Sequence, residues 1–242
     1  MPVEDDFNAQ VLEIWREHVK EPALMPAQYP PGHFKQNLKL LMLGMNPAFS
    51  ESSIQNRMTG LGIDIGANDV FGWSPSTQPR HVHHLLKVEK HAFEHYLRFF
   101  GPLMRFAERV GCANSYSHLD LFHWRQTEQN EFLQVVGLPG ALNEFGLRQV
   151  ALTRETIMAL RPKVVVIANA TAAKRAVEYL PLTYVTNSGT QCILPGLPDT
   201  RFFLAGMLSG GRAMDTFSCI RLEDEVRRYL DSIELLDGSQ SI

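Results

Sequence analysis

The clearest strand signal in the chain is the apolar run Val164-Val165-Val166-Ile167-Ala168, and a second run extends from Leu38 to Leu43 with one lysine inside it. Apolar strands without polar alternation are typical of parallel sheets that are buried on both faces. Helical patterns lie around these runs, at 6–20, about 82–110, 147–160, 171–180 and 218–235. The alternation predicts an α/β fold, a three-layer α/β/α sandwich with a central, mainly parallel sheet.

The composition is that of an ordinary globular protein. The chain has 242 residues, of which 45% are hydrophobic and 20% are charged. By length alone, a single α/β domain fits as well as two small ones. Because no linker is visible, we predict a single domain over 1–242, with its core at roughly 38–230 and the helix 6–20 packed on it. The formal net charge of −3 argues against a general binder of polyanions.

Cysteine usage and the N-terminus indicate where the protein works. Cys112, Cys192 and Cys219 are far apart and never form a C-x-x-C pair, so a disulfide framework or zinc ribbon is not expected. Isolated thiols and an N-terminus without an apolar stretch favour a reducing, cytoplasmic location without a signal peptide. No apolar run is long enough to span a bilayer, so we expect no membrane partner. Nothing in the sequence indicates an obligate protein partner.

Residues that interrupt or cap regular secondary structure set the expected boundaries of several elements. Residues 48–81 are rich in Gly, Ser, Asn and Pro and are predicted to form a long functional loop. Gly101-Pro102 is predicted to split the helical stretch 82–110 into two helices. Asn169 or Thr171 is expected to cap the helix that follows the valine-rich strand.

The segment Gly44-Met45-Asn46-Pro47 directly follows the first apolar strand. Glycine permits a sharp turn and Pro47 makes the turn rigid, so the amide of Asn46 is expected at the edge of the sheet. Ligands of such folds bind at the carboxyl ends of the strands. The alternative is a plain turn, because Asn-Pro pairs favour turns.

The stretch from His118 to Arg125 places polar and aromatic side chains at the end of another expected strand. As a site, it would let Phe122 and Trp124 stack on a ligand while Arg125 binds a phosphate. The alternative is a half-buried strand with alternating faces.

A third candidate is Ser209-Gly210-Gly211-Arg212, which lies between the last expected strand and the last helix. Small residues allow a phosphate to approach the main-chain N–H groups, and Arg212 adds a positive charge. An ordinary strand-to-helix turn is the alternative. A local basic face could also contribute to phosphate binding, against the alternative of a solvated helix surface. Its members are Arg148, Arg154, Arg161, Lys163, Lys174 and Arg175.

The histidines form two local groups that resemble metal sites. One group is His81, His83 and His84, and the other is His91 and His95. Because no carboxylate motif accompanies them, a surface group is favoured, and we predict neither a metal nor a cofactor.

With these motifs in place, the chain resembles the uracil-DNA glycosylase superfamily. Gly44-Met45-Asn46-Pro47 looks like the first motif of its asparagine-type branches, the mismatch-specific and single-strand-selective glycosylases. The order of elements is also similar, and the resemblance covers roughly 38–230. The implied fold is the three-layer uracil-DNA glycosylase sandwich.

The resemblance implies hydrolysis of the N-glycosidic bond of uracil or another damaged base in single- or double-stranded DNA. Asn46 would orient water toward the sugar, Phe49 or Phe71 would stack on the flipped base, and Asp120 would read its edge. The remaining residues implied by the motifs are Gly44, Met45 and Pro47 at the base, and Ser209, Gly210, Gly211 and Arg212 at the DNA backbone.

The last motif departs from the family pattern. Where the family has His or Asn to stabilise the departing base oxygen, this chain has Met207. The side chains that could replace it are His118, His123 and Arg212. The alternative function is therefore a non-catalytic member of the fold that binds nucleic acid or a nucleotide. A third possibility is an enzyme that acts on a free nucleoside or nucleotide.

Overall fold

The computed structural model describes residues 2–76, 79–138 and 140–239. By internal packing the chain divides into two compact units. The first unit comprises Met1–Phe34, Met45–His95 and Asp120–Ala159, and the second comprises Lys35–Gly44, Tyr96–Leu119 and Leu160–Ile242. The single domain expected over 1–242 stays a prediction.

The described residues form α-helices and short and long strands along the whole chain. The helices are α1 Val3–His18, α2 Glu51–Gly60, α3 Ala67–Phe71, α4 Val82–His95, α5 Leu97–Arg109, α6 Gln129–Val136, α7 Glu144–Leu160, α8 Ala170–Tyr179 and α9 Thr216–Ser239. The strands are β1 Ala23–Leu24, β2 Leu40–Gly44, β3 Gly72–Trp73, β4 Tyr116–Asp120, β5 Gly137–Leu138, β6 Ala141–Leu142, β7 Val164–Ala168, β8 Thr183–Tyr184, β9 Gln191–Leu194 and β10 Leu197–Ala205. Within the described part of the chain, no helix combines the length and apolar character needed to cross a bilayer.

A six-stranded sheet forms the centre of the second unit, in the order β4-β2-β7-β10-β9-β8. β2 and β10 pair in parallel with β7, whereas β9 and β8 are antiparallel. The sheet is mixed, mostly parallel and flanked by helices, so the predicted α/β class is confirmed.

The two apolar runs occupy the middle of this sheet. β7 has the predicted bounds, and Val164 to Ile167 are completely buried. Leu40 pairs with Val164 and Met42 with Val166, so the apolar side chains of both strands are aligned. Removing these side chains from water is the main force that holds the strands together.

The first unit is mainly helical and contains two small two-stranded antiparallel sheets, β1-β3 and β5-β6. Aromatic side chains dominate its core, because Phe7, Trp15 and Phe71 are each at most 1% exposed. The indole N–H of Trp15 donates to the carbonyl of Leu24 at 3.0 Å, which satisfies the polar atom of a fully buried ring.

The long loop expected at 48–81 was wrong in part. This stretch contains α2, α3 and β3. In α2 the buried residues are Ile54 and Met58, so the helix has too few apolar positions to produce a clear period.

The break between α4 and α5 lies at Tyr96 rather than at Gly101-Pro102, where it was predicted. Tyr96 has a non-helical ψ of 71°, and Pro102 lies inside α5. A proline costs one main-chain hydrogen bond in a helix. Burial of Leu103 and Phe106 in the same helix offsets that cost.

Other boundaries agree more closely with the sequence. Asn169 caps α8, as one of the two expected choices, because its Oδ1 accepts from Thr171 N and Ala172 N at 2.9 and 3.0 Å. β10 begins at Leu197, five residues before the expected start at Phe202.

Candidate functional site

Asn46 lies in the first unit, two residues after the end of β2. Its Nδ2 donates to the carbonyl of Gln126 at 2.7 Å and to the carbonyls of Trp124 and Pro47 at 3.3 Å. Three surrounding carbonyls identify this atom as the amide nitrogen, because an amide oxygen cannot donate. Oδ1 accepts no hydrogen bond from the described residues, so it is available to a water molecule or a ligand.

The loop of Asn46, residues 45–50, is bonded along its length to residues 122–127. Phe122 N donates to Met45 O at 2.9 Å, and Gln126 N donates to Pro47 O at 3.0 Å. The hydroxyl of Thr127 donates to the carbonyl of Phe49 at 2.9 Å. These bonds and those of the Asn46 amide fix both the main chain and the side-chain rotamer.

The other residues of the GMNP motif contribute through the main chain. β2 ends at Gly44 and the chain bends at Met45, so the direction changes after the strand as predicted, without a positive φ at the glycine. Met45 is 8% exposed and Pro47 is half-buried. The carbonyls of both anchor residues 122–126, which is the role that the structure assigns to them.

The two phenylalanines proposed to stack on a base differ in accessibility. Phe71 is 1% exposed, and its ring lies 5.0 Å from the guanidinium carbon of Arg125. Phe49 is half-buried and contacts Phe71 with a centroid distance of 5.7 Å. Of the two, Phe49 therefore has the accessible surface that stacking requires.

Arg125 does not bind a phosphate, contrary to the site interpretation of its segment. It is 5% exposed, and its Nε and Nη2 donate to the carbonyls of Met25 and Pro26 at 3.0 and 3.2 Å. Nη2 also forms an ion pair with Glu89. These contacts lie inside the first unit, and through them Arg125 anchors the segment that contains Met25 and Pro26.

Asp120 is the last residue of β4 and is 6% exposed. Its N–H donates to the hydroxyl of Tyr29 at 3.1 Å, and its carbonyl accepts from the hydroxyl of Thr153 at 3.2 Å. These two contacts hold the end of the strand in place through the main chain of Asp120, and neither of them involves its carboxyl group.

Burial raises the pKa of the Asp120 carboxyl to about 7, with the positive charge of Arg125 opposing the shift and the charge of Glu89 adding to it. Burial, followed by the charge of Asp120, also raises the pKa of the Tyr29 phenol well above its usual value. Near neutral pH Asp120 therefore exists as a mixture of the carboxylic acid, which donates, and the carboxylate, which only accepts.

His123 cannot replace the missing donor of the last motif. It is completely buried, and its Nε2 lies 3.1 Å from the hydroxyl of Thr153. Burial lowers the pKa of His123 to about 3, so the ring is neutral at physiological pH. The main-chain N–H groups of His123 and Trp124 both donate to Oε1 of Gln149, at 2.8 and 3.1 Å.

Two further residues of the 118–125 segment are packing residues. Phe122 is completely buried and contacts Phe132 edge-on at 5.2 Å. Trp124 is half-buried and stacks on Trp15 at 5.8 Å. In the second unit, His118 is 6% exposed with aromatic rings around it. The alternative of a half-buried strand with alternating faces was also wrong, because β4 ends at Asp120 and every one of its residues is buried.

The Ser209–Arg212 loop lies in the second unit and is a tight turn. Ala213 N donates to Gly210 O at 3.2 Å, and Met214 N donates to Met207 O at 2.7 Å. Gly210 adopts a positive φ of 83°, which favours glycine. Gly210, Gly211 and Arg212 are exposed, whereas Ser209 is 5% exposed.

The helix that follows this loop already carries a negative group at its N-terminus. Asp215 Oδ1 accepts from Ser218 N at 3.0 Å and Oδ2 accepts from the Ser218 hydroxyl at 2.6 Å. These bonds, the hydroxyl first, hold the pKa of Asp215 below its usual value. Any phosphate at this loop would rely on the loop itself and Arg212, because Asp215 uses the end of α9.

Two of the basic residues expected to form a local face lie close to acidic side chains. Arg148 lies 3.4 Å from Glu17, and Arg175 is buried with a nitrogen 3.7 Å from Glu178. These residues fall in both units, so the single basic face stays a prediction.

The histidines of α4 contact each other in pairs. The rings of His83 and His84 are 3.8 Å apart, and those of His91 and His95 are 4.5 Å apart. Burial followed by neighbouring charge lowers the pKa of His84 and His91. Across the described residues, no group of three His, Cys, Asp or Glu is arranged to hold a metal ion.

Sequence reasoning missed the residues that surround Asp120. Tyr29 lies 91 positions from Asp120, and Glu89 lies 36 positions from Arg125. The proline-rich segment around Tyr29 carried the only local signal, since repeated prolines fix a main chain that often serves a site.

A scan against protein-family models finds no match, and a search of curated proteins finds no significant relative. The functional argument therefore depends on the geometry around Asn46.

Proposed function

We propose that this protein is a DNA glycosylase-like hydrolase that cleaves the N-glycosidic bond of uracil or another damaged base. The observation that carries the proposal is the Asn46 amide, whose nitrogen is held by three carbonyls while its oxygen has no partner among the described residues. The proposal includes the finer fold, a three-layer uracil-DNA glycosylase sandwich with DNA as partner.

Asn46 acts by position. Its Oδ1 accepts a hydrogen bond from a water molecule and directs the water oxygen toward the anomeric carbon. The bond between that carbon and the base breaks as the new C–O bond forms, and the water proton passes to solvent or to the departing base. An amide is too weak a base to remove the proton early, which suits an oxocarbenium-like transition state.

The base would stack on Phe49, the accessible ring of the Phe49–Phe71 pair. The buried ring of Phe71 contacts Phe49 and also lies against the guanidinium of Arg125, so it gives the stacking ring a fixed neighbour. Stacking on one aromatic ring contributes about 1–3 kcal/mol per base.

Asp120 reads the edge of the base in this proposal. Its pKa of about 7 supports the assignment, since a carboxylic acid donates to a base oxygen whereas a carboxylate accepts from an N–H group. Ser209, Gly210, Gly211 and Arg212 would hold the DNA backbone.

The test is base release from single- and double-stranded oligonucleotides that contain uracil, hypoxanthine, xanthine or a mismatched base. Asn46→Ala removes the oxygen that orients water and is expected to lower the rate about 100- to 1000-fold. Asn130→Ala, an exposed asparagine of α6 in the same unit, is the matched control and keeps the wild-type rate.

A non-catalytic protein that binds nucleic acid or a nucleotide is the second candidate, and Met207 favours it because a thioether donates no hydrogen bond. It predicts tight, salt-sensitive binding of the same oligonucleotides without base release. An enzyme acting on a free nucleoside predicts neither, but release of base from the nucleoside itself.

A further inference from the structure

The first unit contains a cavity of about 550 Å³ that the proposed reaction does not use. Its walls come from three parts of this unit: the segment 18–23 at the end of α1, the ring of Trp124, and residues between α6 and the start of α7. Protein sites for small ligands commonly enclose about 300–1,000 Å³. The cavity is therefore large enough for a small organic molecule, and all of its lining residues belong to one compact unit.

Two aromatic rings line this cavity. Trp124 is half-buried and Phe145 is 8% exposed, and their ring centroids lie 5.8 Å apart with planes at 89°. The fully buried ring of Trp15 contacts both of them, at 5.8 and 5.1 Å, and the ring of His18 lies 5.7 Å from that of Phe145. These contacts hold the two lining rings in fixed positions. The faces of aromatic rings attract cations, and indole does so most strongly.

Trp124 differs from the other two tryptophans in its indole N–H group. Trp15 donates to the carbonyl of Leu24 at 3.0 Å, and Trp73 donates to that of Val19 at 3.2 Å. Trp124 lines the cavity, and its indole N–H has no acceptor among the residues that the structure describes. The N–H of a largely buried indole usually has a hydrogen-bond partner. A molecule in the cavity would supply the missing acceptor.

The charges along the cavity favour a positive ligand. Apart from His18, the ionisable side chains that line it are two carboxylates, Glu21 and Glu144, and one ammonium, Lys20. Both carboxylates are exposed, and neither has a hydrogen bond or an ion pair with another described residue. Lys20, by contrast, donates to the carbonyl of Arg16 at 2.8 Å. The carboxylates are therefore available to a cation, whereas the ammonium is already engaged on α1.

We propose that this cavity binds an organic cation of the alkylated-ammonium class that also carries a hydroxyl group or another neutral acceptor. The ammonium group lies against the rings of Trp124 and Phe145, and Glu21 and Glu144 supply the opposite charge. The acceptor receives the indole N–H of Trp124. Methyl groups on the ammonium suit aromatic walls, whereas a hard metal ion requires several oxygen ligands around it. This binding is separate from glycosidic cleavage and does not depend on it.

Isothermal titration calorimetry with choline and with its uncharged isostere, tert-butylethanol, tests the role of charge. The alcohol keeps the shape and the hydroxyl group but has carbon in place of the quaternary nitrogen. The wild type is expected to bind choline about 3- to 30-fold more tightly than the alcohol. Glu21→Gln and Glu144→Gln should each weaken choline about 2- to 5-fold at low salt and leave the alcohol unchanged. Glu155→Gln, at an exposed position about three turns further along α7, is the matched control and should change neither affinity.

The indole N–H signals of a proton–nitrogen correlation NMR spectrum locate the ligand. Choline is expected to shift the signal of Trp124, which is assigned by its absence in Trp124→Phe. It should leave the signal of Trp73 in place, because that N–H is bonded to a carbonyl. Tetramethylammonium has the same charge but no hydroxyl group, so the wild type should bind it less tightly than choline. Trp124→Phe should remove this difference, because phenylalanine donates no hydrogen bond.

Three results would overturn the inference. The first is equal binding of choline and the alcohol, or no saturable binding of choline. The second is a loss of choline affinity in Glu155→Gln as large as that in Glu144→Gln, which would reflect general surface charge. The third is choline binding that leaves the Trp124 signal unmoved, which would put the ligand elsewhere. If Trp124→Phe does not fold, the two variants of exposed glutamates decide the question. Since no oligonucleotide is used, these results are independent of base release.

Discussion

The loop of Asn46 and the loop of Ser209–Arg212 each follow a strand of the sheet, but they are held in opposite ways. The Asn46 loop is bonded to residues distant in sequence, through two of the three carbonyls around its amide, and a buried arginine lies in the same distant segment. The Ser209–Arg212 loop bonds only within 207–214 in its main chain, and its tip is exposed. The first arrangement fixes a side chain for chemistry, whereas the second leaves main-chain N–H groups free to adapt to a ligand.

The largest expected change in the free energy of unfolding comes from removing the positive charge of Arg125, in the segment that holds the Asn46 loop. Arg125→Met leaves the Glu89 carboxylate without its partner and removes the donor from the carbonyls of Met25 and Pro26. Breaking a buried pair in this way costs about 3–5 kcal/mol. Urea unfolding at pH 7 measures the loss, and base release should disappear with it.

The matched variant is Arg212→Met, which changes an exposed residue of the Ser209–Arg212 loop. It should shift the free energy of unfolding by less than about 0.5 kcal/mol. Similar losses in the two variants would break the comparison, because they would show that the contacts of Arg125 add nothing to those of a surface arginine.

The next effect is the pH dependence of stability. It arises from Asp120 and His123, two buried groups of the first unit whose pKa values are shifted in opposite directions. The pKa of Asp120 is raised to about 7, so the unfolded chain loses that proton first and stability falls as pH rises from about 4 to 7. The pKa of His123 is lowered to about 3, so stability falls as pH drops below about 6.5. Each shift corresponds to about 4–5 kcal/mol, and between pH 4 and 6.5 the two nearly cancel.

Asp120→Asn removes one side of this balance. Its stability should exceed that of the wild type above pH 7, by up to about 4 kcal/mol, and should fall steeply on acidification. Urea unfolding from pH 4.5 to 8 measures both slopes, and His123→Gln should show the reverse trend. Parallel curves for the wild type and Asp120→Asn would contradict the burial of an ionisable carboxyl at this position.

The smallest expected effect is a change in oligonucleotide affinity at the Ser209–Arg212 loop. Asp215→Ala removes the negative group from the start of α9 and frees the N–H of Ser218. If Ser209–Arg212 holds a DNA phosphate, affinity for an oligonucleotide should rise roughly 2- to 5-fold while the melting temperature falls slightly. Unchanged affinity at low salt would separate this loop from nucleic-acid binding. Asp199→Ala, at an exposed position near the start of β10, serves as the charge-matched control.

The sequence was most informative where burial is uniform along a segment. β7 has the bounds predicted for it because Val164 to Ile167 are apolar and completely buried. By contrast, α2 buries Ile54 and Met58 and otherwise presents polar residues, so no helical period was visible. Pro102 lies inside α5 because the packing of that helix outweighs the local tendency of proline to end a helix. The sequence pattern shows only this tendency.

For the candidate site, the sequence located Asn46 but not what holds it. The partners of its amide lie 78 and 80 positions away and are main-chain carbonyls, which any residue type provides. The same holds for the contact of Tyr29 with Asp120. Conversely, the sequence suggested a phosphate contact for Arg125 because an exposed and a buried arginine look the same in a sequence.

The stacking of Trp124 on Trp15 has a consequence for spectroscopy. Two of the three tryptophans of the chain form this pair, with ring planes inclined by 28°. The carbonyl of Trp124 is also an acceptor for Asn46. Indole emission and near-ultraviolet circular dichroism depend on ring separation and angle, so any ligand that displaces Asn46 alters an optical signal without an added label. The protein carries its own fluorescent reporter of that loop.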